Sequence, residues 1–226
     1  MKLAVIGCGS IARFHMIPMQ NAGFEIYAVA GRFGGSKSLD LFSSDFSVSN
    51  KYKDPFKLLQ SSEWDALLLA CPTENMMEYI NASIEIDRPI LIEKPISYHY
   101  SDLFPFIEKN NFCVGLNRRF YNTISKAKKF IKENEDILVK VTIPESLDEL
   151  EENNHGRIPN KTYENSIHIF DILIYLLGQI EWLHSEKLYK NKNIKAITAI
   201  GSSNQCKIIQ LNNYYNSSDN FSIEII

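Results

Sequence analysis

The chain has 226 residues, a formal net charge of −3 and a pI near 6.0, which allows one or two domains and gives no electrostatic reason to expect nucleic acid or an anionic membrane as partner. Its four cysteines, Cys8, Cys71, Cys113 and Cys206, stand far apart with no C-x-x-C pair, so neither a zinc site nor a disulfide framework is expected and no metal is assigned. The amino-terminal apolar run meets a glycine turn too soon for a signal-peptide core, and the longest apolar stretch, Ile169 to Leu177, is interrupted by Asp171; a cytoplasmic location is the expectation.

Lys2 to Ile6 is a short, nearly continuous apolar run of the kind found in parallel strands covered on both faces. "GCGSIA", Gly7 to Ala12, follows at once, and a helical pattern starts near Ser10. The stretch fits G-x-G-x-x-G/A: Gly7 for the tight turn, Gly9 for close approach of backbone to a pyrophosphate, and Ala12 for close packing of helix on strand. Ser10 and Ile11 open the helix, where backbone N–H groups and the positive dipole end suit phosphate.

Glu25 to Ala30 reads as a second strand and ends in "GRFGGSK". An NAD-binding domain places an acidic residue there, about 20 residues past the glycines, to hold the ribose hydroxyls. Gly31 occupies that place, followed by Arg32, Ser36 and Lys37. A guanidinium grips a 2′-phosphate in bidentate fashion, so NADP is expected in preference to NAD; the alternative is that Arg32 and Lys37 are solvated loop charges.

Strand and helix signals then alternate: a weak strand at Val48 to Tyr52, and a short helix at Pro55 to Gln60 capped by Asp54. A buried strand at Asp65 to Cys71 precedes a helix at Glu74 to Ile86, and Pro89 to Glu93, Asp102 to Lys109 and Phe112 to Leu116 read as strand, helix and strand. Such alternation implies an α/β, Rossmann-type doubly wound parallel sheet, with ligands at the carboxyl ends of its strands. That edge carries Gly7 to Gly9, Gly31 and Arg32, Cys71, Pro72 and Thr73, Glu93, Lys94 and Pro95, and Asn117, Arg118 and Arg119.

"NRRFYNTISKAKKFIKEN" reads as a helix with a basic face, Ile137 to Ile143 as a strand ended by Pro144, and "ESLDELEENNHGR" as a solvated loop or short helix. "YENSIHIFDILIYLLG", Tyr163 to Gly178, reads as one apolar helix on which Glu164, His168, Asp171 and Tyr175 share a narrow stripe. The stripe is either a pocket wall or a core histidine held by neighbouring hydrogen bonds. Ile180 to Leu188, Ile194 to Ile200, Cys206 to Asn212 and Phe221 to Ile226 have strand-like composition. They suggest a smaller α+β domain, residues 119–226 after a dinucleotide-binding domain of residues 1–118, whose open and mostly antiparallel sheet exposes an edge unless another chain covers it. Either a homo-oligomer or a shortened second domain follows from that edge.

Together, "GCGSIA", "ACPT", "ILIEKPIS" with a strand running into Glu93-Lys94-Pro95, "NRRF" and "ENSIHIFDIL" resemble the glucose-fructose oxidoreductase and inositol dehydrogenase (Gfo/Idh/MocA) family. The resemblance implies hydride transfer between a nicotinamide cofactor, NADP or alternatively NAD, and a carbinol carbon of a sugar, polyol or nucleotide-linked sugar, with surface polysaccharide synthesis as one setting. It also implies an oligomer built through the open second sheet. By motif, Lys94 matches the lysine of the family's E-K-P element and His168 the histidine of its H-x-x-D element, which includes Asp171. The two are expected to converge on the substrate's reacting oxygen, with Glu164 or Asp171 orienting the imidazole and Asn117, Arg118, Arg119 and Tyr163 contacting substrate. Two departures stand out: Glu164 where many members have aspartate, and Met76 where many have histidine. A regulatory protein that keeps the cofactor but lacks efficient catalysis is the alternative, and retention of both Lys94 and His168 argues against it.

Overall fold

The run Lys2–Ile6 forms β1, in which Leu3 to Ile6 are all 2% exposed or less. Such a strand needs apolar cover on both faces. The computed structural model describes residues 1–226 and supplies that cover within the first of two compact units, Met1–Gly115 and Leu116–Ile226. After β1 come α1 (Ser10–Asn21), β2 (Glu25–Ala30), α2 (Lys37–Asp45), β3 (Asn50–Tyr52), α3 (Pro55–Gln60), β4 (Ala66–Leu69), α4 (Thr73–Ala82), β5 (Ile90–Ile92) and β6 (Phe112–Val114). The six strands are all parallel, in the order β3-β2-β1-β4-β5-β6.

Successive residues of a strand face opposite sides, and β1 divides accordingly. Ala4 and Ile6 pack in one core with Leu58, Trp64, Met76 and Ile80, while Leu3 and Val5 pack in another with Met16, Leu39 and Phe42. Helices therefore cover both faces. The strand order reverses at β1, whose neighbours are β2 and β4, and the ligand crevice of such a sheet lies at that reversal. Asp54 caps α3 through a 3.0 Å bond from Phe56 N, with Pro55 in the first turn, as its sequence suggests. The stretch expected as a helix at Asp102–Lys109 is instead a 3₁₀ segment, Tyr100–Phe106, with Pro105 inside it; proline removes an N–H that a continuing helix needs.

The second unit contains a 3₁₀ turn at Asn117–Phe120, then α5 (Asn122–Glu133), β7 (Leu138–Glu145), α6 (Glu149–Glu152), α7 (Asn160–Glu164), α8 (Ile167–Leu177), β8 (Glu181–Lys190), β9 (Asn193–Ser203), β10 (Cys206–Tyr215) and β11 (Ser222–Ile225). Its sheet runs β11-β7-β10-β9-β8, parallel only between β7 and β10. Ile169, Ile172, Leu173 and Leu176 of α8 pack on Val139, Val141, Ile209 and Leu211 of the sheet.

Pro144 does not end β7, which continues to Glu145. The carbonyl of Glu145 turns toward β10, accepting from Asn216 N at 2.7 Å. Pro144 must then face the other side, where the ladder with β11 covers only residues 139 to 142, so no N–H is missed. The single helix expected over Tyr163–Gly178 is two helices, α7 and α8, broken at Asn165 and Ser166. Both side chains turn to Glu145, which is 2% exposed: Asn165 Nδ2 donates to Oε2 at 3.2 Å and Ser166 Oγ to Oε1. Residues that satisfy a buried carboxylate in this way favour helix ends over helix interiors.

Candidate functional site

The crevice of the first unit begins at the turn after β1. Gly7 has φ +118, and a β-carbon there would lie 2.1 Å from the backbone oxygen of Ala70 on the neighbouring strand. Gly7 N donates to Ala30 O at 2.9 Å and Ala70 N to Ile6 O at 2.8 Å, which locks the turn between β2 and β4. Gly9 differs: it precedes α1 in extended conformation, and a β-carbon on it would meet nothing within 4 Å. No side chain caps α1, which leaves its first backbone N–H groups without a side-chain partner beside the open space at Gly9.

Gly7, Gly9, Gly31, Arg32, Ser36 and Lys37 line one cleft of about 420 Å³ with Cys71, Pro72 and Tyr79. Ser10 and Ile11 lie exposed on the first turn of α1, whereas Ala12 is fully buried against the sheet. Ser36 Oγ accepts from Leu39 N at 3.2 Å and so caps α2, whose first turn faces the same cleft through Lys37 and Ser38. Burial pushes the Cys71 thiol up to about 12, and its S–H lies 3.6 Å from Sδ of Met76. Cys71 is thus a neutral apolar wall. Met76 is 1% exposed and belongs to the core.

One strand further on, β5 runs into Glu93-Lys94-Pro95, and the Lys94–Pro95 peptide is cis. Glu93 N donates to Leu69 O at 2.9 Å, and Thr73 Oγ1 donates to Pro95 O at 3.3 Å. These bonds set the segment beside the turn at Cys71 to Thr73. The Glu93 carboxylate meets His15 Nε2 at 2.6 Å through Oε1 and accepts from Lys94 N at 3.2 Å through Oε2. Burial acts to raise this carboxyl, but the hydrogen bond and charge of His15, joined by the Lys94 backbone and ammonium, outweigh it and hold the group below its ordinary value. His15 was missed by sequence reasoning. The available signal was a histidine in the helix that follows the glycine turn, which alone reads as a surface or core residue.

In the second unit, His168 and Asp171 are both buried on α8, 7% and 6% exposed. Asp171 and Arg119 form a bidentate pair: Arg119 Nε lies 2.9 and 2.7 Å from Oδ1 and Oδ2, and a terminal nitrogen also donates to Oδ1. The structure thus pairs an expected substrate contact with an expected partner of the imidazole. Glu164 ends α7, not the helix of His168, and accepts from Lys161 Nζ at 3.1 Å. Tyr175 lies beneath the Lys128 ammonium at 3.4 Å from its ring centre. The stripe read from the sequence therefore resolves into separate pairings. Asn117 is exposed on its 3₁₀ turn, with Arg118 and Tyr163 half-buried. No three His, Cys, Asp or Glu side chains are placed to hold a metal ion.

Residues 1–110 match the model of the Gfo/Idh/MocA family, described as an oxidoreductase family with an NAD-binding Rossmann fold. The myo-inositol 2-dehydrogenase of Thermotoga maritima is 26% identical over 194 residues, 79% of this chain and 55% of that protein, so the matched part of the chain spans about half of that relative. Two solved structures share the fold across the whole chain. An oxidoreductase from Thermotoga maritima has a TM-score of 0.80 at 21% identity and is covered over 75% of its length. The myo-inositol dehydrogenase of Lactobacillus casei in complex with NAD(H) and myo-inositol has a TM-score of 0.72 at 18% identity, with 70% covered. The glycine cradle, the uncapped helix and the cleft between β1 and β4 suit a dinucleotide, in keeping with the match of residues 1–110 to an oxidoreductase family with an NAD-binding Rossmann fold.

Proposed function

We propose that the chain is an NADP-preferring oxidoreductase acting on a carbinol carbon of a sugar or polyol. The observation that carries the reading is the cleft at Gly7 and Gly9 with the E-K-P segment held beside it through Thr73 and Pro95. When bound, the nicotinamide cofactor accepts or gives the hydride. The amino end of α1 takes the pyrophosphate, and Gly9 leaves room for it. Lys94 donates a hydrogen bond to the substrate oxygen as charge develops there, and His168 takes or returns the hydroxyl proton. The names of the relatives, inositol dehydrogenases, make cyclic polyols the first substrates to try. With a polyol and sugar panel followed by nicotinamide absorbance, Lys94→Ala and His168→Ala are expected to lose about 10²–10⁴-fold in turnover. Unchanged turnover in both refutes the assignment.

Preference for NADP rests on Arg32, Ser36 and Lys37 lining the cleft, with Gly31 where a carboxylate would hold the ribose. Calorimetric titration showing tighter binding of NAD than of NADP overturns it. Self-association through the second sheet is supported by β8, exposed along its whole length with Trp182, Leu183, Leu188 and Tyr189 among its residues. Light scattering that finds only monomer removes that part of the proposal.

A further inference from the structure

His15 stands six residues beyond Gly9 on α1, with Nε2 2.6 Å from Oε1 of Glu93. The pair is largely shielded, with side chains 24% and 15% exposed. The second carboxylate oxygen takes the Lys94 backbone N–H at 3.2 Å. Gly115, just past β6, lies so close that a β-carbon there would stand 3.0 Å from Oε1. The Glu93 carboxylate is therefore bonded from two directions, helix α1 and its own strand end, and at Gly115 the next strand's exit leaves no room for a side chain beside it. The ladder bonds of the sheet run through backbone groups and do not include this pair.

We propose that His15 is a positioning residue, fixing the Glu93 carboxylate and through it the Lys94 backbone relative to the helix that faces the cofactor cleft. One helix then sets both the seat of the phosphates and the placement of the lysine, so the two are registered to each other before any ligand arrives. Bonds with an ionised partner are roughly twice as strong as neutral ones, and shielding from water strengthens them further. The proposal rests on the reading of Lys94 given above, and its first test does not.

Hydrogen exchange of the cofactor-free protein reads the register directly. His15→Ala is expected to speed exchange at the Lys94 amide and its neighbours about ten-fold while the amides of β1 and β4 keep wild-type protection. His15→Gln, which keeps a nitrogen donor at similar reach, is expected to restore protection to within about three-fold. In turnover, His15→Ala should lower kcat about ten-fold with little change in the KM for NADP, and His15→Gln should recover most of it. Wild-type exchange at Lys94 in His15→Ala, or equal loss in the alanine and glutamine variants, overturns the proposal. If no substrate turns over at all, the oxidoreductase reading fails, while faster exchange in His15→Ala with rescue by glutamine still supports the tie.

Discussion

Gly7 and Gly9 stand two residues apart, yet they should fail in different ways when a methyl group is added. At Gly7, φ of +118 carries a strain of about 1–3 kcal/mol for an L-residue. The new β-carbon would also sit 2.1 Å from Ala70 O, an atom fixed by the bond from Ala70 N to Ile6 O at 2.8 Å. Relief requires β1 and β4 to separate locally, with a further loss of about 0.5–1.5 kcal/mol for each bond broken. Gly7→Ala should therefore destabilise the first unit by about 3 kcal/mol or more, a fall in Tm of roughly 10 °C. Gly9 has φ −77 and ψ −178, which alanine adopts freely, and open space where its β-carbon would go. Alanine is a poorer residue than glycine at a helix start by less than about 1 kcal/mol, so Tm should move by at most a few degrees. Affinity for NADP or NAD should nevertheless fall at least about ten-fold, because the methyl group stands where the pyrophosphate must approach the backbone. Thermal melts followed by circular dichroism, paired with calorimetric titration, separate the two effects. Gly9→Ala binding within two-fold of wild type, or Gly7→Ala melting within a few degrees of it, refutes this account of the cradle.

Three further outcomes are open to measurement. Arg32→Ala should weaken NADP by about 10–100-fold, the range of a charge-assisted pair, and leave NAD within about three-fold; equal loss of both cofactors would show that Arg32 does not read the 2′-phosphate. Because folding lowers the Glu93 carboxyl, the native state binds that proton less readily than the unfolded chain, so the stability it contributes is complete above its ordinary value of 4.5 and is lost as pH falls below that. The Tm advantage of wild type over Glu93→Gln should accordingly shrink on acidification, and a constant or growing advantage contradicts the sign. Arg119→Ala leaves the carboxylate of Asp171, with its side chain 5% exposed, without its guanidinium, and should cost about 2–4 kcal/mol, discounted because the Arg119 side chain is itself 38% exposed. An unchanged melting temperature would show that water replaces the guanidinium at little loss.

The first unit was legible because its signals are local. Apolar runs such as "DALLLAC" specify doubly covered strands, and "GCGSIA" specifies a turn whose geometry only glycine at position 7 accepts. What escaped were ties between residues far apart in the chain: His15 to Glu93 across 78 residues, and Arg119 to Asp171 across 52. No spacing rule reports such pairs. The break between α7 and α8 was hidden for a related reason. Apolar residues recur at helical intervals straight through Asn165 and Ser166, and only Glu145, arriving from β7, turns those side chains out of the helix. Pro144 reads as a terminator because proline cannot donate to a ladder, but what matters is which side of the strand lacks a neighbour.

The polar contacts of α8 make sense as a solution to a problem its composition creates. Its core-facing residues, Ile169, Ile172, Leu173, Leu176 and Leu177, are joined by a half-exposed Ile174 and a partly buried Phe170, so apolar residues surround much of the helix. Apolar burial is non-directional, and a helix greasy on several faces can rotate or slide by a residue with modest loss of buried area. Two polar contacts remove that freedom. Glu145 holds the amino end through Asn165 and Ser166, which sets the axial position, and Arg119 grips both oxygens of Asp171 one turn further along, which sets the rotation. Burying such groups adds little to stability when compared with well-packed hydrocarbon. Their effect is on specificity: His168 lies between the two anchor points, so its direction follows from theirs, and the proton transfer proposed for it would need that direction defined more closely than a core of leucine and isoleucine can define it.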